Sequence, residues 1–236
     1  MNNRFEVCLI AAGEGSRLHS EGIKTSKPLV KIGGKTMIER LFDVVETYQP
    51  LAVHCIINEE STDLKEFLDS YSFNFPFNLK VKSTESSFHS FYELSRFVKT
   101  DHFLLATTDS IFSGEEFGRF QSAYFEECRD IDGLMAITGY IDDEKPLSVT
   151  LEGDRIVKFS DSPVGCEYAT GGIYLFNKRI LDVMDEAVSR DTNRLRNYLK
   201  LLLERGYHLN SFKFDKIIDV DHAEDILKAE EYLKTI

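Results

Sequence analysis

The feature that most narrows the choice of fold is an alternation along the first half of the chain. Residues 5–10 (FEVCLI) form a short apolar run ending at a glycine-rich turn, as a buried strand does. Residues 36–48 place Met37, Leu41, Val44, Val45 and Tyr48 on one helical face. Residues 51–57 read as a strand, and residues 61–70 as a helix opening on a Ser or Thr cap. Residues 77–82 make a third strand. Residues 86–98 make a helix with Phe88, Phe91, Leu94, Ser95 and Val98 at helical spacing, and residues 102–107 (HFLLAT) a fourth strand. Strand followed by helix, repeated in this way, predicts βαβ units and a parallel sheet with right-handed crossovers.

The middle changes character. Residues 133–140, 147–151, 155–159 and 168–176 are strand-like and close together, and Glu152-Gly153-Asp154 signals a hairpin between two of them. This predicts an antiparallel or mixed extension of the sheet. Helical segments follow at 178–188 and 191–204, then a strand at 207–214 and a last helix at 223–233. With no linker, repeat or low-complexity tract, residues 1–236 are expected to form one domain, with 1–130 and 131–236 as its two halves.

A chain of 236 residues buries a sizeable core without disulfide or metal staples. Asp and Glu number 40 against 28 Lys and Arg, a net charge of −12. That balance argues against a nucleic-acid or anionic-membrane binder, though a local pocket can still hold a small phosphate. Cys8, Cys55, Cys128 and Cys166 are far apart in sequence, so no CxxC pair exists, and Cys8 and Cys55 sit in apolar runs. The N-terminal apolar run is about six residues, too short for a signal peptide or a membrane span. The expectation is a soluble, reduced, cytoplasmic protein.

The loop after the first strand reads Ala11-Ala12-Gly13-Glu14-Gly15-Ser16-Arg17. Glycines let a backbone turn with positive φ and approach a ligand, successive N–H groups converge on phosphate, and Arg17 adds a fork of donors. The dinucleotide fingerprint G-x-G-x-x-G fails at Leu18, and a polar stretch replaces the immediate helix. Gly33-Gly34-Lys35-Thr36 imitates the end of a Walker A loop, but its first glycine would fall at Leu29, so Gly33-Gly34 reads as a plain turn. A third pattern fits. IAAGEGSRL, followed by Lys27-Pro28-Leu29-Val30, resembles the signature L-A-A-G-x-G-[ST]-R-[LM] and downstream lysine of the nucleotidyltransferases that activate sugar phosphates with an NTP.

The resemblance covers residues 5–233 and implies a Rossmann-like three-layer αβα fold with a mixed, mostly parallel sheet, the nucleotide-diphospho-sugar transferase type. It implies that Ala11, Ala12 and Gly13 lie near base and ribose, with Glu14 in the same loop. It places Gly15, Ser16 and Arg17 at the phosphates, with Lys27 neutralising them. Alone, Lys27 would read as a surface lysine. Asp109, just after the fourth strand, matches the acidic residue that binds Mg²⁺ in the family. The carboxyl ends of strands are also where open α/β sheets bind ligands, and Mg²⁺ takes one or two carboxylates plus phosphates. A lone Asp there also fits a helix cap, but Ser113 competes for that role. The closing segment, residues 217–225, implies Asp221 as the second metal carboxylate, with Asp219 a second candidate on the same side of an extended chain. Asp221 also fits a cap for the last helix.

Ser83, Thr84, Ser86 and Ser90 fall where relatives reach base or ribose, and Ser86 or Ser87 equally fits an N-cap. Residues 169–176 resemble the N-[AT]-G-[IV]-Y-x-F strand of the sugar branch. They imply Gly171, Gly172 and Tyr174 at the acceptor, with Glu167 binding its hydroxyls. Two departures stand out: Thr170-Gly171 replaces the Asn, and Phe159-Ser160-Asp161-Ser162-Pro163 lacks the lysine of an E-K-P element, with Lys158 the nearest basic residue.

The implied reaction is NTP plus a phosphate monoester giving a nucleoside-diphosphate conjugate and pyrophosphate, without a general base. Residues 21–26 would act as a mobile lid. The expected partners are an NTP and a small phosphorylated acceptor, with neither nucleic acid nor membrane and with monomer and homodimer both open. A sugar 1-phosphate leads as acceptor. Choline or inositol phosphate, a cofactor nucleotidyltransferase of the same fold and a non-catalytic nucleotide-sensing domain are the alternatives, and guanine and cytosine are the leading bases. His19, His54, His89, His102, His208 and His222 have no metal-ligand spacing and read as structural or surface residues.

Overall fold

The computed structural model describes residues 4–162 and 164–236, so the first three residues of the N-terminal reading and Pro163 of the 159–163 segment lie outside it. β1 (Glu6–Ala11) is buried along its whole length. The glycine loop leads into a short helix, α1 (Ser16–Ser20), then a 3-10 turn (Lys27–Leu29). β2 (Lys31–Ile32) and β3 (Lys35–Thr36) pair as a hairpin across Gly33-Gly34, both with φ > 0, as a two-residue turn of this kind requires. α2 (Met37–Thr47) opens with a capping box: Thr36 Oγ1 accepts from Glu39 N and the Glu39 carboxylate accepts from Thr36 N. β4 (Val53–Ile57), α3 (Thr62–Ser70), β5 (Phe77–Val81), α4 (Ser87–Ser95) and β6 (His102–Thr107) follow the predicted alternation. Ser61 precedes α3 without bonding to it through its side chain, whereas Ser86 caps α4 by accepting from His89 N.

The chain continues through β7 (Ser110–Phe112), α5 (Gly114–Glu127), β8 (Gly133–Thr138), β9 (Ser148–Glu152), β10 (Arg155–Ser160) and β11 (Tyr168–Asn177). A 3-10 segment (Lys178–Val183), α6 (Met184–Ser189), α7 (Leu195–Glu204), β12 (Leu209–Phe214), β13 (Ile217–Asp219) and α8 (Ala223–Leu233) complete it. Among the described residues, nine strands form one sheet in the order β5-β4-β1-β6-β11-β8-β12-β10-β9. The first four are parallel, β11 runs antiparallel to β6 and β8, and β12 returns parallel to β8. The fold is thus the expected mixed α/β sheet, and β6–β11 pairing makes it continuous across the two halves.

Alternation along β1 sends Val7, Leu9 and Ala11 into one core and Cys8 and Ile10 into the other. A third, smaller cluster positions the site. Leu18, Val30, Ile32, Met37, Ile111, Ile218, Val220, Ala229 and Tyr232 pack together, joining the glycine-loop helix to the last strand and helix. Truncating the fully buried Leu18 to alanine would cost roughly 2–5 kcal/mol.

Two expectations need correction, and a third segment is shown held at its ends. The helix expected at 178–188 splits, because Tyr198 Oη donates to the Ile180 carbonyl that a continuous α-helix would use for its own ladder. The helix expected from 191 starts at Leu195. Residues 191–194 form a loop instead, and Leu195 N donates to Ser87 Oγ on α4 (3.0 Å). The segment expected as a lid is tied at both ends. Glu21 Oε2 accepts from Ala223 N (2.6 Å), and Asp63 Oδ2 accepts from Ser26 N (2.8 Å).

Candidate active site

Strand β1 ends in the glycine loop. Gly15 is left-handed (φ 61°), and a Cβ there would lie 3.0 Å from Lys27 Cβ, so only glycine lets the loop lie against the lysine turn. Asp63 anchors that turn through Thr25 and Ser26. Pro28 helps to set its backbone.

The acidic residues arrive from the far ends of the chain. β7 and β13, too short to read in the sequence, pair antiparallel with Asp219 opposite Ser110. Val220 N donates to Asp109 O (3.0 Å). Asp109, Asp219 and Asp221 thereby present carboxylate oxygens within 4.8 Å of one another. Neither Asp109 nor Asp221 is spent on capping. Ser113 caps α5, and His222 is the N-cap of α8, where the Asp225 carboxylate accepts from Asp221 N (3.1 Å) and His222 N (2.8 Å). Glu21 also accepts from His222 Nδ1 (2.6 Å), which raises the imidazole pKa.

Lys27 enters this cluster from the other side. Its Nζ lies 2.7 Å from Asp109 Oδ2, 2.6 Å from Asp221 Oδ1 and 4.0 Å from Asp219 Oδ1. Arg17 Nη1 pairs with the other oxygen of Asp221. Burial opposes charge on Lys27, but the carboxylates of Asp109, Asp219 and Asp221 outweigh it and its pKa is raised. Burial likewise works against ionised Asp109, yet Lys27 holds its pKa low. Asp219 goes the other way. Desolvation and repulsion from Asp109 and Asp221 push its pKa up and Lys27 does not compensate, although the side chain stays 43% exposed. Three carboxylates against one lysine and one arginine leave a net negative, all-oxygen donor set, which is the chemistry hard divalent cations bind.

Two clefts meet at this cluster. One, of about 430 Å³, is lined by Ala12 and Gly13 to Ser16 of the loop, with Lys27, Thr84, Ser86 and Ser90. The other, of about 670 Å³, is lined by Gly171, Gly172, Tyr174, Tyr140, Arg194 and Asp219. Thr107, Asp109 and Glu85 to Ser87 belong to both.

The structure therefore brings Glu14, Arg17, Lys27, Thr84, Ser86, Ser90 and the three aspartates to one region. Ala11 differs: its side chain is in the core and it does not line the cleft. Gly172 (φ 73°) is needed for packing, since a Cβ would meet Thr107 Oγ1 at 2.5 Å; Ser110 Oγ donates to Gly171 O. Burial pushes the Tyr174 hydroxyl pKa up to about 12, and Tyr174 lines the second cleft. Glu167 is corrected: it is exposed and does not line that cleft, because β11 enters the wall only at Ala169. Lys158 is exposed and away from it as well. The basic groups there are Arg194 and Arg196, which the sequence did not single out. Arg196 is engaged by Asp161 (3.0 Å) and by the Lys145 carbonyl (3.0 Å). Arg194 has no ion-pair partner among the described residues. Its only sequence signal was being a basic residue next to a helix start.

A family model described as nucleotidyl transferase matches residues 7–235. The chain belongs to that family. The bifunctional protein GlmU of Methanococcus maripaludis (strain C5) is 21% identical over 97% of this chain and 54% of that protein. The GlmU of Methanocaldococcus jannaschii is 24% identical over 97% of this chain and 54% of its own length. The chain spans about half the length of the curated relatives it matches. Among solved structures, the inositol-1-phosphate CTP transferase from T. maritima superposes with a TM-score of 0.81 at 19% identity, covering 99% of this chain and 97% of that one. A putative glucose-1-phosphate thymidylyltransferase from Bacillus anthracis gives 0.84 at 20% identity, covering 99% and 96%. These likenesses establish the nucleotidyltransferase fold. Among the described residues, no helix is long and apolar enough to cross a membrane.

Proposed function

We propose that the chain transfers a nucleoside monophosphate from an NTP to a small phosphate monoester, releasing pyrophosphate, with Mg²⁺ held by Asp109 and by Asp221 or Asp219. The observation that carries this reading is the junction of two clefts at a carboxylate triad. One cleft bears the glycine loop and takes the NTP. The other takes the acceptor. Residues 1–130 would supply the first and 131–236 most of the second, acting as one unit.

In this reading the loop N–H groups around Gly13 to Ser16 hold the triphosphate, and Thr84, Ser86 and Ser90 border base and ribose. Arg17 and Lys27 neutralise the phosphates. Asp109, at the wall common to both clefts, sits where the α-phosphate must meet the acceptor. A phosphate oxygen is already a nucleophile at pH 7, so the protein's task is positioning and charge neutralisation. Bound there, Mg²⁺ would supply further neutralisation of the α-phosphate and the departing pyrophosphate.

Arg194 would stand in for the missing lysine and hold the acceptor phosphate, while Tyr140 and Tyr174 line the space for its carbon skeleton. A sugar 1-phosphate fits such a cleft. Inositol phosphate is the second acceptor, supported by the likeness to an inositol-1-phosphate CTP transferase.

The test is thermal unfolding with Mg²⁺ and each of CTP, GTP, UTP, dTTP and ATP, with Asp109→Ala as control, since a ligand bound only by the folded state raises the midpoint. Pyrophosphate release is then measured with glucose 1-phosphate, inositol 1-phosphate and phosphocholine. One nucleotide should raise the midpoint in the wild type and less in the control. Binding without pyrophosphate release from any acceptor would make this a nucleotide-sensing domain instead.

A further inference from the structure

The free protein keeps a cation of its own among the three carboxylates. The Lys27 ammonium bonds Asp109 and Asp221 and faces Asp219 at 4.0 Å, while Arg17 covers the remaining oxygen of Asp221. Asp109 Oδ2 and both oxygens of Asp221, which a divalent ion would contact at about 2.0–2.6 Å, already accept hydrogen bonds from these two cations. An arriving ion also meets the repulsion of a positive charge lodged between them.

Lys27 is not free to withdraw by itself. Its side chain is only 11% exposed. Its backbone is pinned by the Asp63-anchored turn on one side and by Gly15 against its Cβ on the other. Leaving the carboxylates without a new anion would strand a largely buried ammonium with no partner, which is unfavourable. The glycine-loop cleft beside it is where such an anion would arrive.

Resting on the reading given above, we propose that Lys27 is a built-in counter-ion that keeps the triad closed to a free divalent cation until a polyphosphate chain draws the ammonium away. Metal and nucleotide then bind with positive coupling, and by linkage each raises the affinity for the other by the same factor. Removing the ammonium should convert the triad into a metal site that needs no nucleotide.

The experiment titrates the full chain with Mn²⁺ alone, following free Mn²⁺ by electron paramagnetic resonance. Lys27→Met keeps the length of the side chain and removes its charge. It should bind Mn²⁺ at least about tenfold more tightly than the wild type, and the gain should vanish in the double variant Lys27→Met/Asp109→Asn. Lys27→Gln serves as the second variant should Lys27→Met not fold. Equal Mn²⁺ uptake by wild type and variant, including none by either, overturns the proposal. A wild type that no metal–nucleotide pair stabilises defeats the functional reading instead. Stabilisation by such a pair alongside equal Mn²⁺ uptake defeats only the counter-ion role.

Discussion

The two ends of strand β1 treat buried charge in opposite ways. At its start, the Glu6 carboxylate accepts from Lys99 N (2.6 Å), Thr100 N (3.0 Å) and Thr100 Oγ1 (3.0 Å). His54 Nε2 lies 3.6 Å from its other oxygen. Burial opposes ionisation of Glu6, but these fixed donors outweigh it and hold its pKa low. Beyond its finish, three carboxylates face one another and share two flexible cations. Backbone donors that cannot move make a charge structural. Lysine and arginine side chains can be drawn to another anion, which leaves their partners available to a ligand. The first cluster is a buried joint, and the second, which keeps its carboxylates partly open to solvent, suits a site.

The largest effect that tests this contrast is on turnover. Asp109→Asn should lower kcat for pyrophosphate release by about 10²- to 10³-fold, the range for losing one preorganised charge, and leave thermal unfolding nearly unchanged. An unfolded variant would show that Asp109 belongs with Glu6 as a structural group. Glu6→Ala should do the reverse. It removes the carboxylate acceptor of two part-buried N–H donors and so costs about 1–3 kcal/mol in urea unfolding, with kcat and KM unaltered in the folded fraction.

The joint also sets an acid limit. The Glu6 pKa is lowered in the folded state, so its contribution is complete above the ordinary value of 4.5 and is lost as pH falls through the folded value. Burial lowers the His54 pKa, so the unfolded chain takes up that proton first and stability also falls as pH drops below 6.5. Glu6→Gln should therefore flatten the pH dependence of the unfolding midpoint below about pH 4.5. An unchanged acid limb would place the sensitivity elsewhere. The smallest expected change is at Asp219. Its charge is opposed by burial and by Asp109 and Asp221, so Asp219→Asn should raise the unfolding midpoint slightly while weakening metal binding. A lowered midpoint would mean that Lys27 compensates that charge after all.

Much of this was legible before any coordinates. Hydrophobic spacing located β1, α2, β4, β5 and β6, because periodicity acts over a few residues. The glycine loop and Lys27 were legible because each lies in a short contiguous pattern. Ser113 was rightly a rival to Asp109 for the cap of α5. The split between Val183 and Met184 was hidden, since the hydroxyl that takes the Ile180 carbonyl belongs to Tyr198, on another helix. Glu167 misled because proximity to a motif in sequence does not decide which side of a strand end faces a cleft. Arg194 was invisible because exposed arginines at helix starts are ordinary until a fold aims one into a cavity.

Local chemistry thus determined the elements, the parallel first half, and a loop whose glycines and cations suit phosphate. Which charges would meet was decided only in three dimensions. Asp109 and Asp221 are brought to Lys27 by the β7–β13 pairing and by a small core that joins Leu18 to Tyr232. Contacts between residues so far apart come from packing and sheet register, and no short window of sequence encodes those.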